Sequence, residues 1–379
     1  MSLDPKYDIA IIGGGLAGLA LSIQCVRAGY RTILFEREKY PFHKVCGEYI
    51  SLESWNFLEE LGVPLSDMQL PVINRLQVSS PGGKYIEAAL PLGGFGISRY
   101  TLDQLLANIA RREGVVLLEE TKVVNVVYRN NAFVVFSSRG ETEVAIAAGT
   151  YGKRSNLDAK WKRPFTQVKP NKLNHFVGVK YHIETFFPED LIALHNFENG
   201  YCGISRIENN KYCLCYLTTA RNLRKSHNDI QAMEKNILQK NPFLEKIFST
   251  SRFLYAEPLT ISRISFNRKN QVENHVLMIG DAAGMITPLC GNGMSMALHG
   301  SKLAFEEISQ FMKGRITRYE MELQYTQQWE KQFGRRLQAG RLIQRFFGNT
   351  SLSNFLITVV KPFPKFVAFL IGQTHGKPF

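Results

Sequence analysis

Cysteine is scarce in this chain of 379 residues and poorly spaced for the roles that depend on it. The six cysteines, Cys25, Cys46, Cys202, Cys213, Cys215 and Cys290, include no CxxC pair and have no companion histidines at zinc-finger spacing. A structural zinc module and a disulfide framework are therefore poor readings, and no metal is expected. The opening stretch, MSLDPKYDIAIIGGG, lacks the basic start, apolar core and small-residue cleavage site of a secretory signal, so a cytoplasmic location is expected. No internal repeat or low-complexity linker separates the parts of the chain, which by length fits two or three domains. The lone histidines His175, His182, His195 and His299 show no metal-ligand spacing and read as hydrogen-bonded structural residues.

Acidic residues are missing from one end. Between Lys331 and Phe379 there are eight Lys or Arg and no Asp or Glu, which holds most of the net charge of +13. That end also carries FLITVV (355–360) and FVAFLI (366–371), each far short of the roughly 20 apolar residues that cross a bilayer. Short apolar segments flanked by basic residues fit an interfacial anchor or a lid over a greasy pocket. The plainer reading is a pair of C-terminal helices packed on the body with a solvated basic face. No recognised nucleic-acid module accompanies the charge, so nucleic acid is not an expected partner.

What is present is concentrated in glycine. The run YDIAII (7–12) reads as a buried strand and is followed at once by GGGLAGLALSIQCVRAG, a glycine turn and a helix. Gly13, Gly15 and Gly18 satisfy GxGxxG: the first allows the tight turn, the second lets backbone approach a pyrophosphate, and the third lets helix and strand pack closely. The helix N-terminus then offers free N–H groups and a positive dipole end to the phosphates. A second strand, TILFE, ends in Glu36, 18 residues after Gly18. A carboxylate there accepts hydrogen bonds from ribose hydroxyls and disfavours a 2′-phosphate. Together these predict dinucleotide binding, and Arg37 is also expected among the cofactor-binding residues.

A second segment, HVLMIGDAAGMITPLCGNGMSMALHG (275–300), delivers Gly280 and Asp281 at the C-terminal end of a strand and then opens a helix after Pro288. Asp281 suits a ribityl chain. The N–H groups around Gly291, Asn292, Gly293 and Met294 suit the O2 side of an isoalloxazine, where negative charge develops on reduction. This segment resembles the GD motif of FAD-dependent oxidoreductases of the glutathione-reductase-like superfamily, in the p-hydroxybenzoate hydroxylase-like branch. VAIAAGTYGKRSNLD (144–158) resembles that branch's middle element, with Gly149 in the turn, although Ala148-Gly149 stands where hydroxylases commonly carry Asp-Gly. HKVCGEYIS (43–51) resembles the Cys-Gly-Glu stretch of the geranylgeranyl reductase family, and SRYTLDQLL (98–106) its cofactor-contacting arginine, here Arg99.

The resemblance implies FAD as cofactor, with Lys44, Cys46 and Gly47 close to it. Cys46 is either a compact wall beside the ring or a redox or proton-relay thiol activated by His43, Lys44 or the reduced flavin. With no second GxGxxG, NAD(P)H is expected as a transient reductant. The hairpin GYCGISRIENNKYCLCYLTT places Tyr201, Gly203 and Ser205-Arg206 where the reductases carry Tyr-x-Trp-x-Phe-Pro, so substrate identity does not carry over. The WxWxIP signature of flavin-dependent halogenases is also missing, since Trp55, Trp161 and Trp329 lie far apart.

The fold expected is α/β, α+β overall: a Rossmann-type FAD-binding domain (1–70, 98–165 and 272–310) interleaved with an antiparallel-sheet substrate domain (71–97 and 166–271). A basic, apolar helical segment (311–379) completes it. The activity expected is NAD(P)H-dependent redox chemistry on an apolar, unsaturated, lipid-, isoprenoid- or polyene-like small molecule, with Cys46 at the reacting centre and membrane-surface contact through the C-terminal segment. A monooxygenase acting on an aromatic or polyketide substrate, and a non-catalytic flavin-binding redox sensor, are the alternatives.

Overall fold

The computed structural model describes residues 6–169, 174–346, 350–362, 372 and 376–379. Ile9–Ile12 is buried along its whole length, the pattern of a strand covered on both faces. It pairs in parallel with Thr32–Phe35 on one side and Ile146–Gly149 on the other. The six-stranded sheet runs Val272–Glu273, Val276–Met278, Ile146–Gly149, Ile9–Ile12, Thr32–Phe35, Val116–Leu118, and only the short first strand is antiparallel to its neighbour. The helix Leu16–Arg27 leaves the glycine turn and packs against Arg99–Arg112 and Gly293–Met312. The three sequence motifs are thus gathered at one end of this sheet. A small antiparallel sheet, Val123–Arg129, Ala132–Ser137 and Gly140–Val144, inserts between Val116–Leu118 and Ile146–Gly149 in sequence; the sequence reading did not separate it.

The nine-stranded sheet runs Arg252–Phe253, Phe176–Glu184, Tyr212–Thr219, Gly200–Arg206, Leu191–Phe197, Val72–Ser79, Tyr85–Gly96, Tyr49–Ser51, with Leu259–Ile264 paired to Phe176–Glu184. Strand alternation sorts its central members by face. Val177, Val179, Tyr181 and Ile183 join Ile204, Leu214 and Tyr216 in a buried core. Gly178, Lys180 and His182 alternate with them and share the opposite face with Gly203, Ser205, Cys213 and Cys215, through the register Lys180↔Cys215, His182↔Cys213, Gly203↔Cys215 and Ser205↔Cys213. The expected hairpin closes on Asn209 and Asn210, at φ 59° and 58°; asparagine tolerates this left-handed pair better than most residues.

Tyr49–Ser51 departs from the expected boundaries. It was placed with the dinucleotide-binding segment (1–70), but it pairs with Tyr85–Gly96 as the edge of the large sheet. The chain therefore crosses between the two large sheets immediately after Cys46, Gly47 and Glu48. At the other end, the helix Arg318–Phe346 packs on Gly293–Met312 and buries Met321, Tyr325, Trp329, Phe333 and Leu337. The helix Thr350–Val360 contains FLITVV, whereas FVAFLI (366–371) lies outside the described residues. Among the described residues no helix is long and apolar enough to cross a membrane.

Candidate cofactor and substrate site

A cavity of about 1280 Å³ takes its walls from both large sheets. At one end stands the glycine turn. Gly13 has φ +106°, and a Cβ on it would lie 2.6 Å from Tyr151 Cα, so only glycine fits. Glu36 accepts from Gly14 N at 2.8 Å and Glu38 N at 3.1 Å, which fixes its carboxylate on the cavity wall beside Arg37. A Cβ on Gly15 would meet Arg99 Nη2 at 3.7 Å and Lys44 Nζ at 3.9 Å. Two cations therefore face the start of the helix Leu16–Arg27, the place for a pyrophosphate.

Both cations are held by Asp103, which accepts from Arg99 Nε at 2.7 Å, Arg99 Nη2 at 2.8 Å and Lys44 Nζ at 2.9 Å. Burial opposes the charge on Asp103, but the fields of Arg99 and Lys44 outweigh it and hold the carboxyl below its ordinary range. Arg99 and Lys44 against Asp103 leave this cluster with one positive charge in excess, facing Gly15.

Gly280 and Asp281 lie close to the glycine turn, where a Cβ on Gly280 would be 3.3 Å from Ala17 Cβ, and the wall continues through Pro288, Gly291, Asn292, Gly293 and Met294 toward the other end of the cavity. Gly291, at φ +64°, turns the chain into the helix Gly293–Met312, and the Tyr49 ring lies 3.2 Å from where its Cβ would be. Lys269 staples this segment, donating to Asp281 O at 2.7 Å and Lys153 O at 3.3 Å with its ammonium over the Phe165 ring. Burial pushes the Lys269 ammonium down to about 8.

Between the two ends lies the Cys46 turn. Four consecutive carbonyls are each tied by a side chain: Lys44 O accepts from Lys180 at 3.1 Å, Val45 O from Lys153 at 3.0 Å, Cys46 O from Cys213 Sγ at 3.2 Å, and Gly47 O from Ser205 Oγ at 3.4 Å. Glu48 follows in a left-handed conformation, φ 56°, uncommon for a residue with a side chain. Its fully buried carboxylate receives Arg99 N at 2.8 Å, the Lys180 ammonium, and His182 Nε2 at 2.6 Å. Tyr255 Oη lies 2.6 Å from His182 Nδ1 and 3.2 Å from His43 Nε2.

Burial works against the Glu48 charge, yet the His182 bond and the Lys180 ammonium hold its carboxyl below the ordinary value. Burial also works against the Lys180 ammonium, and Glu48 holds it above the ordinary value. This is a buried pair in which each partner keeps the other ionised. Glu48, His182 and Cys213 also present ligand atoms within 4.8 Å of one another. The Lys180 ammonium already occupies that spot and repels a cation, so the cluster reads as an ion pair rather than a metal centre.

Of the residues expected at the cofactor, Gly18 and Gly149 stand apart. Gly18 packs on the glycine turn, where a Cβ would come 2.1 Å from Gly13 O, and Gly149 packs on Met278 within the parallel sheet. Thr150 to Lys153, just beyond Gly149, line the cavity in its place. Nor are Lys44 and His43 placed to activate Cys46: Lys44 is committed to Asp103, and His43 stacks on Tyr100 and bonds Tyr255. His182 is no isolated structural histidine, since it bonds Glu48 and Tyr255. The reading missed Lys180, His182, Tyr255 and Lys269. Its one available signal was the alternation of Lys180 and His182 with buried Val179 and Tyr181.

The cavity fits a flavin dinucleotide. Glycines line it at the Gly13 turn and at Gly291–Gly293, cations and a helix N-terminus meet at Gly15, and among the described residues none but the two chain neighbours comes within 4 Å of where a Cβ on Gly47 would be. A parallel sheet whose strands Ile9–Ile12 and Val276–Met278 both end at one edge in glycine-containing turns, with Asp281 on the cavity wall, defines a dinucleotide-binding site. Residues 6–327 match the FAD binding domain family, and the chain belongs to that family; it is an FAD-dependent enzyme.

Among curated relatives, it is 26% identical over 359 residues to conditioned medium factor receptor 1 of Dictyostelium discoideum, covering 86% of this chain and 68% of that one. It is 24% identical over 356 residues to digeranylgeranylglycerophospholipid reductase 2 of Methanothermobacter thermautotrophicus, covering 88% and 86%. Among solved structures, a geranylgeranyl bacteriochlorophyll reductase-like protein of Thermoplasma acidophilum superposes with TM-score 0.78 at 14% identity, covering 98% of this chain and 96% of that one. A triple mutant of a flavin-dependent brominase also reaches 0.78, at 19% identity, covering 98% and 95%. At these identities the structures share the fold.

Proposed function

We propose that the protein is a reductase, supplied with electrons by NAD(P)H, that saturates a double bond of an apolar, isoprenoid-type lipid. The observation that carries this reading is the composition of the cavity beyond Cys46. Leu194, Tyr201, Leu217, Ile264 and Met285 form an apolar cluster facing the cavity, a surface suited to a hydrocarbon chain. The similarity to digeranylgeranylglycerophospholipid reductases points the same way. Bound FAD supplies hydride transfer. The protein's part is to hold it: Gly13, Gly15 and Glu36 at the adenosine and pyrophosphate, Arg99 and Lys44 as counter-charges, and Asp281 and Gly291–Met294 at the ring. The apolar cluster orients the lipid and excludes water, and Cys46 sits where the two meet.

The C-terminal helix supports a membrane-bound supply of substrate. Phe355 and Val359, one turn apart, are 63% and 45% exposed, beside the basic residues at this end of the chain. The test is anaerobic: protein reduced with NADPH or NADH is mixed with digeranylgeranylglycerophospholipid in mixed micelles and the lipid is weighed by mass spectrometry. Gain of two hydrogens per double bond with return of the oxidised flavin spectrum is expected. A product that forms only with oxygen would overturn the reading in favour of a monooxygenase.

A further inference from the structure

Six glycines lie in strands of the nine-stranded sheet, and five of them have a reason within the protein. Gly93 stands at φ +73°, where a side chain is strained. A Cβ on Gly94 would run into the Tyr49 ring, one on Gly200 into the Phe197 ring, and one on Gly96 into the Arg206 carbonyl. At Gly178 the space is filled by Val45 of the Cys46 turn and by Ile261, each 3.2 Å from where a Cβ would be.

Gly203 is the exception. Its backbone is outside the left-handed region, and it is paired on both sides, to Leu194 and to Cys215. A Cβ there would make ordinary contacts, 3.4 Å to Leu194 Cδ2 and 3.6 Å to Cys215 O, so alanine fits. A glycine inside a central strand gives up stability, and it often marks a place where something else approaches closely. Gly203 is half-buried and on the cavity wall.

Its place along the strand says what approaches. Tyr201, Gly203 and Ser205 share the cavity face, and they pair with Leu217, Cys215 and Cys213 in turn. These pairs form three rows, each about 7 Å from the next. The first row, Tyr201–Leu217, belongs to the apolar cluster. The third is tied to the Cys46 turn, Ser205 through Gly47 O and Cys213 through Cys46 O. A hydrocarbon chain that lies on the cluster and reaches the turn crosses the middle row. There the floor lacks a side chain at Gly203, beside Leu194, and carries only a small thiol at Cys215, which burial keeps neutral. The result is an apolar recess the size of a small alkyl group.

We infer that Gly203 is a specificity-determining residue: its recess receives a methyl branch of the substrate chain beside the double bond to be reduced, which sets that bond in register with the Cys46 turn. This rests on the isoprenoid reading above and narrows it to branched chains over straight ones. An unbranched chain leaves the recess empty and has nothing to stop it sliding along the cluster. A methyl group added by the protein at position 203 takes the place of the branch.

The test measures binding without turnover. Phytanol, saturated and methyl-branched, and hexadecanol, a straight chain of the same backbone length, are titrated in mixed micelles into the full-length FAD-loaded protein. Binding is read as the shift in melting temperature and in flavin absorbance. Wild type is expected to bind phytanol about tenfold more tightly, the discrimination one methyl group gives in an apolar pocket. In Gly203→Ala the preference is expected to vanish, through weaker phytanol binding with hexadecanol unchanged, while flavin occupancy holds and the melting temperature of the free protein does not fall. Wild type that binds the two alcohols alike, or neither, overturns the proposal, as does an undiminished preference in Gly203→Ala. Loss of flavin in Gly203→Ala also overturns it, because the recess then belongs to the cofactor ring.

Adding Leu194→Ala to Gly203→Ala removes the side chain nearest the new methyl group and is expected to restore part of the preference; none regained places the effect elsewhere and overturns the recess. Turnover of digeranylgeranylglycerophospholipid judges the reductase reading separately. A preference that depends on Gly203 in a protein that does not reduce this lipid keeps the recess and discards the reaction. Reduction with equal kcat/KM in wild type and Gly203→Ala keeps the reaction and discards the recess.

Discussion

Gly18 shows how exactly a single atom is specified. A β-carbon there would lie 2.1 Å from Gly13 O and 2.6 Å from Thr150 Oγ1, and the first contact is backbone that cannot yield. Gly18→Ala is expected to destabilise the protein by about 3 kcal/mol and to lower flavin occupancy, read as the ratio of visible to protein absorbance after desalting; full occupancy and an unchanged melting temperature would contradict this account. His195 carries a prediction about acid. It is buried beside Ser79 and stacked on Phe243, and burial pulls its imidazole from 6.5 to about 3. The folded protein therefore refuses a proton that the unfolded chain accepts below pH 6.5, and stability is lost as pH falls from there toward 3, at up to about 1.4 kcal/mol per pH unit. Urea unfolding between pH 6.5 and 4.5 is expected to show a shallower decline in His195→Asn. An identical decline in variant and wild type would remove His195 as the cause.

The motif glycines were readable in the sequence because tight turns and close approaches admit little else, and their spacing is local. Glu48 and Lys180 were not: 132 residues separate them, and neither type is unusual in a strand or loop. Only the folded sheet shows that Lys180 and His182 look toward the cavity while their neighbours fill the core.

Among the elements, the strand–turn–helix units at Ile9–Arg27 and Val276–Met312 are where reading and structure agree best: in the first, apolar run, glycine turn and helix follow one another without interruption, and in the second the turn residues Gly280 to Gly291 link strand to helix through two short 3-10 turns. The strands of the large sheet were legible as alternating segments, but their order was not. Leu191–Phe197 lies parallel to Val72–Ser79, a pairing that hydrophobic pattern alone does not select. The edge strand Tyr49–Ser51 is three residues long, too short to announce its sheet. The loop that follows Met278 depends on Lys269, whose two carbonyl contacts join Asp281 to Lys153. Lys269→Met is expected to loosen this loop and weaken FAD binding about tenfold, measured by fluorescence titration of the apoprotein. Unchanged affinity would show that the loop holds itself.

For the molecule as a whole, the excess positive charge and the exposed Phe355 and Val359 belong to the same end of the chain. If that end meets a lipid surface, Phe355→Asp/Val359→Asp is expected to cut partition onto phosphatidylglycerol vesicles about tenfold in a flotation assay while retaining flavin. Equal flotation of variant and wild type would leave the helix a packing element only, and binding to neutral vesicles as strong as to anionic ones would discount the charge.

One further consequence concerns the order of events on the ribosome. The cofactor cavity needs Ile9–Ile12 and its turn from the beginning of the chain, and Val276–Met278 with Gly291–Met294 from near its end, joined through Ile146–Gly149. A nascent chain released from the exit tunnel only as far as the large sheet has half a flavin site and an unfinished parallel sheet. Flavin capture is thus expected late in biosynthesis, and a truncated translation product that stops before residue 290 is expected to be colourless on purification.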